Sequence, residues 1–183
     1  MSKKTITGPT WLTILRILLA ILFMIFILYP ASWAVVTAFI IFIVASVTDK
    51  IDGHWARKTN NVTDLGAFLD PLADKILVNL ALLALVYLQA VPVWVFAIIL
   101  VRDFTIDGMR MSAARKNITI SASFFGKLKT TFQMIAILIL LLSLIVNLEW
   151  IKITGDVLLY IALALTVFSG LDYLKKGWKL LIK

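Results

Sequence analysis

Apolar residues in this chain come in long, nearly unbroken runs, not at the helical or alternating spacing of a soluble domain. A helix needs roughly 20 consecutive apolar residues to cross the hydrocarbon of a bilayer. Six stretches reach that length, at about 11–29, 32–52, 68–90, 92–112, 128–148 and 153–174. Turn-forming residues punctuate them: Tyr29-Pro30-Ala31-Ser32 after the first, Gln89-Ala90-Val91-Pro92 after the third, Asn147-Leu148-Glu149 before the last. No internal repeat or low-complexity tract interrupts the series. The pattern predicts an all-α, polytopic integral membrane protein with six transmembrane helices, built as a single domain over residues 1–183. Met1-Ser2-Lys3-Lys4 leads into the first run without an Ala-x-Ala cleavage site. That run is therefore expected to stay as a spanning helix, not to be removed as a signal peptide.

Charge adds an orientation. With six spans and both termini on one side, seventeen of the eighteen Lys and Arg residues collect there, and only Lys152 falls on the other. Basic residues mark the cytoplasmic side, so both termini are expected in the cytoplasm. Five or seven spans would scatter the charges over both faces. Trp33, Trp94 and Trp150 fall near the opposite edge, where an aromatic belt belongs. The net charge of +8 is thus a topology signal. The basic residues form no soluble domain with interleaved aromatics, which excludes nucleic acid as a partner.

Composition narrows the chemistry. The chain is 62% hydrophobic, above the 45–50% or so of ordinary soluble domains. It has no cysteine and one histidine, which rules out disulfide frameworks and Cys/His zinc sites. Nine of the ten acidic residues are Asp, so any metal is held by oxygen, the donor suited to Mg²⁺, Mn²⁺ or Ca²⁺.

Ionisable residues inside spans cost roughly a few kcal/mol each, so a group of them calls for a function or a partner. Residues 48–75 read TDKIDGHWARKTNNVTDLGAFLDPLADK, across the end of the second span and the start of the third. Asp49 and Asp52 are three apart, Asp70 and Asp74 four apart, so on a helix each pair shares one face. A short loop makes the two helices an antiparallel hairpin, and four carboxylates then converge near the cytoplasmic surface. Four converging anions repel one another and need cations. An all-oxygen site of this charge suits two Mg²⁺ or Mn²⁺ ions clamping a pyrophosphate. Gly53 and Gly66 leave room for close approach to the backbone, Ala56 is small, and Arg57 can pair with a phosphate through its planar fork. Taken singly, these residues have structural readings. Thr63 and Asp64 could cap a helix, Gly53 could end one, and Asp52 with Arg57 could be a weak surface pair. His54 and Trp55 are assigned no role.

Taken together, Asp-x2-Asp-Gly-x2-Ala-Arg-x8-Gly-x3-Asp-x3-Asp runs from Asp49 to Asp74 without a miss, eight fixed positions over 26 residues. In this the chain closely resembles the CDP-alcohol phosphotransferase family. The resemblance implies that family's fold, six transmembrane helices with the site in the cytoplasmic half. It implies metal binding by Asp49, Asp52 and Asp70, with Asp70 shared between two ions. Asp74 would complete the metal shell and act as general base on the acceptor hydroxyl, while Gly53, Ala56, Arg57 and Gly66 line the CDP pocket. It further implies a homodimer in the bacterial cytoplasmic (inner) membrane. No small-xxx-small face in the spans is clean enough to derive the dimer independently.

The fourth and fifth spans bear on the acceptor. Arg102, Asp103 and Asp107 can form an internal ion pair, and Arg115 and Lys116 face lipid headgroups as topology charges. Arg110, Lys127 and Lys129 remain as surplus cations, as an acceptor carrying its own phosphate would require. Serine, choline and ethanolamine are disfavoured. Gly108-Met109-Arg110, Gly126-Lys127-Leu128-Lys129-Thr130-Thr131-Phe132-Gln133 and Pro9-Thr10-Trp11-Leu12-Thr13-Ile14-Leu15-Arg16 also resemble the branch of the family that uses glycerol 3-phosphate. Asp103 stands where that branch usually has Glu, and Thr10 where it has Asn. The resemblance runs from about Pro9 to Tyr173 and implies CDP-diacylglycerol and sn-glycerol 3-phosphate as substrates, with Arg110, Lys127 and Lys129 on the acceptor phosphate. An inositol phosphate or phosphatidylglycerol as acceptor comes next. A cation or proton transporter is remote, because its site would sit near the midplane, often between repeats.

Overall fold

The structure, a computed structural model, describes the backbone of residues 8–59, 64–115 and 124–181. Side chains are described at residues 11, 13–48, 72–73, 75–113 and 124–175. Among the described residues six α-helices follow one another and there is no strand: α1 Gly8–Leu28, α2 Ser32–Thr59, α3 Asp64–Tyr87, α4 Val93–Arg115, α5 Phe124–Val146 and α6 Glu149–Leu181. Each apolar run is one helix, and the breaks fall at the turn residues. Two helices outrun their apolar stretches furthest. α2 continues to Thr59 and α6 to Leu181, because backbone hydrogen bonding does not stop where the side chains turn polar. Gly53 consequently lies inside α2 and does not end it.

The link after α5 has a specific cause. Asn147 takes the left-handed conformation, with φ of 52°, and its N–H donates to the Ser143 carbonyl at 3.0 Å. That single bond is the αL form of a helix C-cap, and asparagine tolerates the conformation better than most residues. Gln89, with φ of 58°, turns the chain after α3, and Pro92 then prevents the helix from resuming until α4.

The chain divides into two compact units. The first comprises residues 1–85 with 144–146, and the second residues 86–143 with 147–183. In the first, α1 packs on α2. Thr13, Arg16, Ala20, Phe23 and Ile27 form the buried stripe of α1, and Ala34, Ala38, Phe42 and Ala45 that of α2. Spacings of three and four keep each stripe on one face. The alanines let the helices approach, and Phe23 and Phe42 fill the space between with ring centroids 5.8 Å apart.

In the second unit α4 packs on α6. Leu159, Ala162, Thr166, Ser169, Gly170 and Tyr173 are the buried face of α6, mostly small residues that admit a close neighbour. Trp94 stacks near Tyr160, Arg102 reaches Ser169, and Arg110 reaches Tyr173. Partners advance together along both helices, so α4 and α6 run parallel. Lys129, Gln133, Ala136, Ile137 and Leu140 make the buried face of α5. Gly155 of α6 sits hard against that face, since a Cβ there would lie 2.8 Å from Leu140 Cγ.

The outer faces of these helices are apolar as well. Leu18, Ile25, Ile40, Phe104, Phe168 and Leu171 are all more than half exposed. Hydroxyls, where they occur, turn inward on their own helix: Thr37, Ser46, Thr48, Thr105, Thr154 and Thr166 each donate to the carbonyl four residues back. Both features suit a lipid surrounding, which cannot satisfy polar groups. Among the described residues two helical stretches, Phe124–Val146 and Glu149–Lys175, are long and apolar enough to cross a bilayer. Thr13–Leu28, Ser32–Thr48 and Lys75–Tyr87 are shorter apolar stretches. Of the six helices expected as spans, α5 and α6 meet that measure over the described residues.

Candidate functional site

Asp49, Asp52, Gly53, Ala56 and Arg57 fall on the last turns of α2, and Gly66, Asp70 and Asp74 on the first turns of α3. Helical backbone at both places gives the spacings of three and four their meaning: each acid pair occupies one side of its helix. The side chains of these eight residues lie outside those described. Among the described residues no group of three or more His, Cys, Asp or Glu side chains could hold a metal ion.

Arg102 and Arg110 of α4 and Lys127 and Lys129 of α5 are described, and they divide into two arrangements. In the first, the Lys129 ammonium donates to both oxygens of Asp103, at 2.8 and 2.7 Å. Arg102 Nη1 donates to the same carboxylate at 2.9 Å, and its Nη2 to the Ser169 hydroxyl at 2.8 Å. Side-chain exposure is only 2% at Lys129, 13% at Asp103 and 16% at Arg102, so this is an ion cluster in a dry setting, joining α4, α5 and α6. Gly170 makes space for it, because a Cβ there would meet Arg102 Cγ at 3.2 Å. The internal pairing foreseen for Arg102 and Asp103 is present, and the carboxylate also takes Lys129, whose partner the sequence did not reveal. Gln133, one helical turn beyond Lys129 and 2% exposed, has a buried Nε2 with no hydrogen-bond partner.

In the second arrangement an exposed Arg110 lies against Tyr173. Its Nη2 donates to the phenolic oxygen at 2.6 Å, and its guanidinium carbon stands 5.2 Å from the ring centroid. Lys127 is exposed on the first turn of α5. Around Gly108, two residues before Arg110, the space a Cβ would occupy is open. Sequence reasoning missed Tyr173, Ser169 and the bond between Lys129 and Asp103. These pairs lie 63, 67 and 26 residues apart, and no local pattern announces them.

α4 and α6 also bound a groove of about 420 Å³, lined by Ala97, Ile98, Val101, Ile106, Leu171 and Leu174 among others, with Arg102 at its wall. Arg102, the one charged residue of this lining, is bound to Asp103 and Ser169.

Residues 6–168 match the family described as CDP-alcohol phosphatidyltransferase, and the chain belongs to that family. The family is generally dependent on a divalent metal. With this membership and its apolar helix faces, the chain is a membrane protein. It is similar over nearly its whole length to bacterial proteins named CDP-diacylglycerol–glycerol-3-phosphate 3-phosphatidyltransferase. The Bacillus subtilis protein is 39% identical, covering 94% of this chain and 96% of the relative. The Yersinia enterocolitica protein is 38% identical over 96% of this chain and 97% of its own. The Escherichia coli K12 protein is 39% identical over 91% and 92%.

Proposed function

We propose that the chain transfers the phosphatidyl group of CDP-diacylglycerol to sn-glycerol 3-phosphate, giving phosphatidylglycerol phosphate and CMP. The observation that carries this reading is the unbroken motif from Asp49 to Asp74, its two acid pairs at helical spacing on α2 and α3. The names of the full-length relatives point to the same donor and acceptor.

Four carboxylates with no sulfur or imidazole among them are a hard, all-oxygen donor set, which fits Mg²⁺ or Mn²⁺. Asp49, Asp52, Asp70 and Asp74 would hold two such ions. Bound there, the metal supplies charge neutralisation at the phosphoryl oxygens. The chain's own groups do the rest. Asp74 takes the proton of the acceptor's 1-hydroxyl as its oxygen attacks the β-phosphorus that carries diacylglycerol. The bond from that phosphorus to the bridging oxygen breaks, and CMP departs. Arg57 pairs with the donor's phosphates, and Gly53, Ala56 and Gly66 keep the helix surfaces low enough for the nucleotide. Arg110 and Lys127, both exposed, face the acceptor phosphate; the third candidate, Lys129, is paired with Asp103 and contributes through the net positive charge of its cluster.

The same reading treats residues 1–183 as one catalytic domain with six membrane-spanning helices, both termini and the site on the cytoplasmic side, acting as a homodimer in a bacterial inner membrane. The parallel course of α4 and α6 supports it, since alternate spans of a serpentine chain run in the same direction. Trp33, Trp94 and Trp150, all more than half exposed, support the boundary on the other side.

The test is CMP release by the purified protein in detergent, supplied with CDP-diacylglycerol and Mg²⁺. Glycerol 3-phosphate, inositol 1-phosphate, serine and phosphatidylglycerol are offered separately, each with an EDTA control. Turnover with glycerol 3-phosphate alone, abolished by EDTA, is the expected result. Turnover with another alcohol overturns the acceptor, and turnover that survives EDTA overturns the metal assignment.

A further inference from the structure

Arg110 and Lys129 are held in opposite ways. Lys129 gives its ammonium to a carboxylate and is almost fully buried. Arg110 is exposed, and what holds it is neutral: the hydroxyl and ring of Tyr173, itself 3% exposed near the C-terminal end of α6. A carboxylate in that place would fix the arginine as firmly. It would also cancel the charge and compete with an incoming phosphate for the same donors. A phenol accepts one N–H and presents the negative face of its ring, leaving the positive charge and the remaining N–H donors for a ligand. Because the tyrosine is packed in the core of its unit, it also restricts a long side chain before the ligand arrives. Binding would otherwise bear that ordering cost.

We infer that Tyr173 is a positioning residue for the acceptor: it orients Arg110 toward the phosphate of glycerol 3-phosphate without neutralising it. The inference rests on reading Arg110 as a ligand of that phosphate.

Tyr173→Phe keeps the ring and removes the hydroxyl, and the full-length variant is assayed beside Arg110→Ala and the double variant. The expected result is a rise of about tenfold in KM for glycerol 3-phosphate, the scale of one charge-assisted hydrogen bond. The kcat and the KM for CDP-diacylglycerol should stay within about twofold, which loss of packing alone would not produce. Arg110→Ala should raise the same KM further, and adding Tyr173→Phe to it should change nothing more, because the tyrosine acts through the arginine. If Arg110→Ala raises the KM while Tyr173→Phe does not, or the two effects multiply, the positioning role is overturned and the phosphate ligand stands. If Arg110→Ala leaves the KM unchanged, the phosphate reading itself fails and takes the positioning role with it.

Discussion

Replacing Asp103 by alanine would take the shared carboxylate from two cations in the interior of the second unit. The Lys129 ammonium would lose contacts of 2.8 and 2.7 Å and Arg102 one of 2.9 Å, in a place where the lysine side chain is only 2% exposed. At 2.7 Å and an effective dielectric of about 20, the attraction of Lys129 to the carboxylate is about 6 kcal/mol before desolvation is subtracted. Removing one partner of a buried pair costs about 3–5 kcal/mol, because the surviving charge stays buried without its counterion. Repulsion between Lys129 and Arg102, which the carboxylate now screens, acts in the same direction. Asp103→Ala is therefore expected to destabilise the protein by about 3–5 kcal/mol, and Asp103→Asn by less, since its amide oxygen still accepts hydrogen bonds. Reversible denaturation in detergent, followed by far-ultraviolet circular dichroism, measures both. Combining Asp103→Asn with Lys129→Met removes the buried ammonium and should recover part of the loss. A loss under about 1 kcal/mol in Asp103→Ala, the range of exposed ion pairs, would refute the buried-cluster argument, as would a double variant no more stable than Asp103→Asn alone.

Two further substitutions test other parts of the structure. Asp70→Asn should lower CMP release by at least about a hundredfold, the scale of losing one electrostatic stabiliser, with the denaturation profile unchanged; near-normal turnover would remove Asp70 from the metal site. Gly155→Ala should destabilise by about 1–2 kcal/mol in the same denaturation assay, because overpacking against Leu140 outweighs the better helix propensity of alanine. Both Leu140 Cγ and Cδ2 stand 2.8 Å from the new methyl, so rotating the tip of the leucine does not relieve the clash; a gain in stability would refute the close apposition of α5 and α6.

The helices were legible because each is a run of apolar residues bounded by residues with a mechanical reason to stop. Pro30 and Pro92 lack an N–H to donate, and Asn147 accepts the left-handed turn. The first half of the candidate site was legible for a different reason. Its acids lie close in sequence on two consecutive helices, so their spacing already encodes a shared face. The second half resisted. Arg110, Lys127 and Lys129 could be picked out as surplus cations, but their surroundings are set by partners on other helices. Lys129 reads in the sequence as one more surplus cation and is the most buried charge among the described residues of α5. Arg16, counted as a topology charge, lies 2% exposed on the packed stripe of α1. Hydropathy could show neither, because a lysine scores the same whether its head reaches water or a carboxylate.

Binding a metal with carboxylates and an anionic acceptor with cations in one small protein poses a problem of self-neutralisation. Acid and base placed within reach of each other pair off, as Lys129 and Asp103 do. The chain limits this by segregation. The four motif acids belong to α2 and α3, and the candidate acceptor cations to α4 and α5. Within the second unit, the cluster of Arg102, Asp103 and Lys129 keeps one positive charge in excess, and Arg110 is restrained by a residue with no charge to give. A polar but neutral anchor is the one kind of partner that fixes an arginine and still leaves it attractive to a phosphate. On that argument Tyr173 matters to acceptor recognition for what it lacks, a formal charge, as much as for the hydrogen bond it accepts.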